Sequence, residues 1–90
     1  MTKAELVTAI AQKSGLTKIQ ARDSLEAFVD CVTASLKDGV EVRIVGFGSF
    51  LPVSRAAGLA RNPRTGAQVK RPASRTARFR PGEGLKSALN

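Results

Sequence analysis

The side chains of this sequence that could do chemistry are almost all cations. Arg55, Arg61, Arg64, Lys70, Arg71, Arg75, Arg78 and Arg80 fall within 26 residues that contain no Asp or Glu. With Lys86 they make nine positive charges after residue 45, set against Glu83 alone, while residues 1–45 balance six cations with six carboxylates. The whole formal net charge of +8 therefore belongs to one half of the chain. An ordinary solvated face mixes signs, so this asymmetry points to a polyanionic partner.

Catalysis is not expected. The chain has no His and a single thiol, Cys31, and no cluster with metal-ligand spacing. Thr2 with Glu5 and Thr17 with Gln20 are spaced as helix caps rather than as catalytic pairs. The Gly-x-Gly pieces at 46–48 and 82–84 lack the strand, loop and helix context of a nucleotide site and read as turn and helix-entry glycines. No cofactor, metal or small-molecule substrate is implied. A lone Cys fits a reducing compartment. No apolar run approaches the roughly 18 residues of a membrane span, and Glu5 stands where a signal peptide would turn apolar. A soluble, cytoplasmic protein with no membrane partner is the expectation.

The elements that must carry these cations can be read from period and punctuation. Thr2-Lys3-Ala4-Glu5 has capping-box spacing, Leu6, Val7, Ile10 and Ala11 follow at helical intervals, and Gly15 suits a left-handed stop. Thr17-Lys18-Ile19-Gln20 repeats the signal, which makes residues 1–37 an αα-hairpin. Ala21, Leu25, Phe28, Val29, Val32 and Leu36 form the apolar stripe of its second helix, which Gly39 ends. The period then changes to two at Val40, Val42 and Ile44, a strand. "GFGSF" (46–50) is a turn into a second strand through Leu51, Val53 and Arg55, where Pro52 requires an edge or bulge. Asn62-Pro63 and Gly66 have hairpin-turn chemistry, so the flanking arms should pair, Leu59 near Val69 and Gly58 near Lys70. A bulge could shift that register by one. A strand through Arg75, Ala77 and Phe79 returns to the body, and residues 81–90 end in a short helix carrying Leu85 and Leu89.

The expected fold class is α+β: an N-terminal αα-hairpin, a three-stranded antiparallel sheet extended into a β-ribbon arm, and a short C-terminal helix. Residues 1–90 form one domain, with a helical body and first strand over 1–45 and the arm over 55–74. A chain of this size buries only about two-thirds of its unfolded surface, so a second subunit is expected. Phe28, Val32, Leu36, Phe47, Phe50 and Phe79 would supply the core shared with that subunit.

A two-stranded ribbon is slim enough to follow a groove of duplex DNA while Arg and Lys reach phosphates on both walls. Phosphate contacts carry no sequence information, and Asn62, Gln68 and the arginines are the few side chains able to read bases, so selectivity should be weak. Pro63 at the tip forms the turn and could also wedge between base pairs and kink the duplex. An RNA-binding module is the alternative, disfavoured by the wide, shallow minor groove of A-form RNA and the absence of Tyr and Trp for stacking. A helix-turn-helix reading of residues 17–37 fails on charge, since Asp23, Glu26 and Asp30 share the exposed face with Lys18 and Arg22.

"GFGSF" (46–50), "RNPRTG" (61–66) and "FRPGEGLK" (79–86), in this order, resemble the bacterial HU/IHF family of histone-like DNA-bending proteins over essentially the whole chain. The resemblance implies two intertwined chains, a homodimer with a heterodimer left open, with arms in the minor groove, organising and compacting the bacterial nucleoid. It makes Pro63 the intercalating residue, Arg61, Asn62 and Arg64 the tip contacts, and Arg55, Lys70 and Arg71 the arm contacts. Arg75, Arg78, Arg80, Lys86 and Lys3 would line the saddle and flanks. Gly58-Leu59-Ala60 departs from the family pattern, as do Lys70 and Arg71, which place charge on the returning strand. "VSRAAG" is similar to HU and "FRPGEGLKS" to α-type chains of the sequence-specific relative IHF. HU is favoured because nothing in the arm is committed to base readout.

Overall fold

The computed structural model describes residues 1–61 and 63–90, with Ala60 and Arg71 described by their backbone pairing alone. Two compact units result, Met1–Ala34 and Ser35–Asn90, divided within the second helix.

In the first unit, α1 (Lys3–Ser14) starts where Thr2 Oγ1 accepts the Glu5 N–H at 3.2 Å. The Glu5 carboxylate accepts the Thr2 hydroxyl at 3.2 Å, so it meets the capping side chain rather than the capping backbone. Gly15, left-handed at φ 75°, ends the helix by donating its N–H to the Ala11 carbonyl at 3.1 Å. The second box closes in both directions: Thr17 Oγ1 accepts the Gln20 N–H and Gln20 Oε1 accepts the Thr17 N–H, each at 3.1 Å. It opens α2 (Lys18–Lys37), twenty residues or about 30 Å long. Among the described residues only Val7 and Ala21 are buried hydrophobics, while Phe28 is 41% and Val29 50% exposed. The apolar stripe is present but one chain does not cover it.

The second unit begins with the end of α2. Gly39, at φ 77°, donates its N–H to Leu36 and Val40 donates to Ser35, at 3.0 and 2.8 Å. This Schellman arrangement uses the Val40 N–H as a helix cap. Strand β1 accordingly runs Val42–Ile44, two residues later than the alternation alone suggests. β2 (Gly48–Arg55) pairs antiparallel with β1 from Val42↔Phe50 to Ile44↔Gly48, and with β5 (Ser74–Pro81) along its full length, from Gly48↔Pro81 to Arg55↔Ser74. The sheet order is β1-β2-β5. Pro52 lies beyond the reach of β1, so its missing N–H falls on an open flank.

The ribbon is β3 (Gly58–Arg61) against β4 (Gln68–Arg71), paired Gly58↔Arg71, Leu59↔Lys70 and Arg61↔Gln68. The expected partners, Leu59 with Val69 and Gly58 with Lys70, are each one residue out. Thr65 Oγ1 accepts the Ala67 N–H at 3.2 Å and keeps Ala67 in the turn, so the ladder starts at Gln68. Gly66 takes the left-handed conformation expected of it, φ 70°. Each strand leaves the ladder for two residues, 56–57 and 72–73, and re-enters without gaining or losing a residue on either side.

A short helix, α3 (Glu83–Leu89), closes the chain with Gly82 at its N-cap. The Gly82 N–H donates to the Phe47 carbonyl at 2.8 Å, and a Cβ on Gly84 would lie 2.5 Å from the Gly46 carbonyl oxygen. The two Gly-x-Gly pieces are therefore the two sides of one backbone contact. Phe79 meets Phe47 and Phe50 at centroid separations of 5.2 and 5.1 Å, tilted as aromatic pairs prefer.

Candidate nucleic-acid interface

Register decides which cations stand together. In an antiparallel ladder, partners share a face and successive residues alternate. Phe50 and Phe79 are partners, so Pro52, Ala77, Ser54 and Arg75 lie on their side of the sheet. Ser49, Leu51, Val53 and Arg55 occupy the other side with their partners Arg80, Arg78, Thr76 and Ser74. Because the ladder resumes in step beyond residues 56–57 and 72–73, the ribbon pairs Leu59↔Lys70 and Arg61↔Gln68 continue that second side. Arg55, Arg61, Lys70, Arg78 and Arg80 thus fall on one face by register, and all five are exposed.

The same bookkeeping adds a residue that sequence reasoning missed. Arg43 of β1 is the partner of Ser49, which is in turn the partner of Arg80, so the two arginines flank one serine on the cationic face. The signal was present in the alternation of Val42, Arg43 and Ile44, but its side of the sheet depended on the pairing. Arg43, Arg80 and Lys86 line an open cleft of about 550 Å³ with Ser49, bordered by Glu41 and Glu83. Lys86, on α3, joins the face there.

The remaining candidates divide. Pro63 and Arg64 sit in the exposed turn at the ribbon's tip. Asn62 and the Arg71 side chain lie outside the described residues. Lys3 belongs to the first unit, where its Nζ pairs with Glu26 at 3.3 Å, and Arg22 pairs with Asp23 at 3.7 Å. Among the described residues no carboxylate pairs with Arg55, Arg61, Arg78 or Arg80, which leaves their charge available to an external anion. Arg75 departs from its expected company: it lies on the Phe79 side of β5 and donates from Nη1 to the Lys37 carbonyl. Among the described residues no group of three His, Cys, Asp or Glu is placed to hold a metal ion, and no helix is long and apolar enough to cross a membrane.

Of the expected core, Phe47 and Phe79 are 43% and 37% exposed, and Val32, Leu36 and Phe50 are only half-buried. Within the chain they make an aromatic cluster and a stripe, not an interior.

Comparison with known proteins places this geometry. The chain is 70% identical over 89 residues to the DNA-binding protein HU of Caulobacter vibrioides, covering 99% of this chain and 97% of that one. It is 43% identical to the DNA-binding protein HU of Geobacillus stearothermophilus, covering 99% of each. A cocrystal structure of Anabaena HU with DNA superposes with a TM-score of 0.87 at 37% identity, covering 99% of this chain and 97% of that one. The model of the family described as bacterial DNA-binding protein matches residues 1–90, end to end, and the chain belongs to that family.

Proposed function

We propose that this protein is a histone-like architectural protein that binds duplex DNA with little sequence preference, bends it, and so organises and compacts the bacterial chromosome. The observation that carries this reading is the gathering of Arg43, Arg55, Arg61, Lys70, Arg78 and Arg80 onto one face of a ladder that narrows from three strands to two. The broad part forms a seat for phosphates. The narrow part is slim enough to enter a groove and reach both walls. HU of Caulobacter vibrioides is named as DNA-binding and the Anabaena HU was crystallised with DNA, which supports the same partner here. Minor-groove arms carrying Arg61, Asn62, Arg64, Lys70 and Arg71 at and near the tip follow from this reading, as does a place in the cytoplasmic nucleoid. The family is one of DNA-binding proteins, and no enzyme activity is proposed.

The working unit is a homodimer. Phe28, Val29, Phe47 and Phe79 remain between 37% and 50% exposed in the single chain, and a second copy laid against them would complete the core.

Neutralising about six to ten phosphates makes log affinity fall with log salt at a slope of about −5 to −9. Titrating a short labelled duplex between about 50 and 200 mM salt reads this slope, and a value near zero overturns the proposal. Structured RNA as competitor tests the alternative partner: displacement of the duplex at equal concentration would favour it.

Pro63 is the proposed wedge, a role supported by a rigid apolar ring at the exposed tip of the ribbon. Pro63→Ala should lose most of a kink of roughly 20–90°, read by energy transfer between the duplex ends, while the salt slope is unchanged because the ring carries no charge. Equal bending by the variant removes proline intercalation from the mechanism.

A further inference from the structure

Arg75 is separated from the other arginines by two facts. Its place in the ladder, opposite Ser54, puts it on the Phe50 and Phe79 side of the sheet, while its neighbours Arg78 and Arg80 occupy the cationic side. Its guanidinium donates to the carbonyl of Lys37, the last residue of α2.

That carbonyl is one the helix cannot satisfy itself. The last turn of any α-helix leaves carbonyls without intrahelical donors. Here the Schellman turn supplies two, Val40 N–H to Ser35 and Gly39 N–H to Leu36, and the carbonyl of Lys37 comes next in line. The negative end of the helix dipole makes a cation favourable at that point. Arg75 meets both requirements with one side chain, and its forked guanidinium keeps further donors for the same end.

Position gives the contact its meaning. Arg75 is the second residue of β5, and residues 72–73, immediately before that strand, are where the ladder is interrupted and the ribbon begins. With Arg55, Ala73 and Ser74 it borders the notch at the root of the arm. We infer that Arg75 is a positioning residue: it ties the root of the arm to the C-terminus of α2 and fixes the direction in which the ribbon leaves the body, and it does not contact phosphate. The inference rests on the DNA-bending reading, for which a fixed arm direction sets the path of the bound duplex.

The test compares Arg75→Met, Arg75→Lys and Arg78→Met in the full-length protein on a short duplex labelled at both ends. Arg75→Met keeps an unbranched apolar stem and removes the donors. It should leave the salt slope at the unaltered protein's value, lower the melting temperature by about 4–8 °C, and reduce the bend measured at saturating protein well below that temperature. Arg75→Lys, which restores a donor, should recover both the melting temperature and the bend. Arg78→Met, on the cationic face, should lower the slope by about 1.8, one contact from each chain of the dimer, with little change in melting temperature. A slope loss of about 1.8 in Arg75→Met, one contact from each chain, would make Arg75 a phosphate contact and overturn the inference. So would a bend that survives the loss of the donor, whether or not the melting temperature falls. A flat salt dependence in the unaltered protein is a different failure, that of the DNA reading. The tie to α2 would then be judged by the melting temperatures of the Met and Lys variants, and no drop in the Met variant would overturn it.

Discussion

Exchanging Arg55, Arg61, Arg78 and Arg80 together for glutamine in both chains of the dimer is expected to weaken DNA binding at least about a thousandfold at 0.15 M salt while leaving the fold intact. The size follows from counterion release. Each phosphate contact contributes about 0.9 to the slope of log affinity against log salt, and the homodimer loses eight side chains; four contacts among them already contribute about 3.6, and their absence costs about three decades between 1 M and 0.15 M. The fold should tolerate the change because all four side chains are exposed, and among the described residues none is paired with a carboxylate. Removing like charges from one face relieves repulsion. The measurement is a salt titration beside a thermal melt. A slope unchanged by four substitutions would mean that the duplex lies elsewhere, and the assignment of the cationic face would fall.

Exchanging Gly48 for alanine should do the reverse, damaging the fold first and binding only as a consequence. A Cβ on Gly48 would lie 2.5 Å from the carbonyl oxygen of Arg80 and 2.6 Å from Cζ of Phe79, both nearer than real Cβ contacts come. Neither neighbour moves freely. The carbonyl belongs to the paired strand β5, and the ring is held between Phe47 and Phe50. Overpacking of this kind costs about 1–3 kcal/mol, which in a chain of this size lowers the melting temperature by roughly 5–20 °C. Gly66→Ala is the useful comparison, because no heavy atom lies within 4 Å of a Cβ placed there and only its φ of 70° opposes the change. A Gly48→Ala protein that melts with the unaltered one would show that the strands can separate at that point without loss.

Much of this architecture could be read from the chain because the signals are local. The capping pairs Thr2/Glu5 and Thr17/Gln20 open the two helices where they stand, and Gly15 and Gly39 close them. The turn chemistry around Pro63 and Gly66 gives the ribbon, and the one-sided charge count gives its partner. What could not be read depends on pairings between distant residues. The ladder begins one residue away from the expected place because of a single hydroxyl, Thr65 Oγ1, on the Ala67 N–H. That one residue decides the face of every ribbon side chain. Arg43 gains its meaning for the same reason, an ordinary strand cation until β1 is aligned on Ser49, whereas Arg75 is set opposite Arg78 and Arg80 by the alternation along β5 itself and only its contact with the Lys37 carbonyl needed the fold. Phe28, Phe47 and Phe79, expected as core, are apolar, clustered or striped, and more than a third exposed in the single chain, which fits the second copy proposed above.

The unbroken phase of the ladder through residues 56–57 and 72–73 restricts how such an arm can change in length. Deleting one residue from a single strand would misalign the partners beyond it, and deleting one from each would restore the partners but turn Arg61 and Lys70 to the opposite side from Arg55 and Arg78. Only the removal or addition of two residues on both strands leaves pairing and facing as they are. The reach of the arm is thus quantised, changing in steps of about 7 Å, and tolerated insertions and deletions in this region should come as matched pairs on either side of the tip.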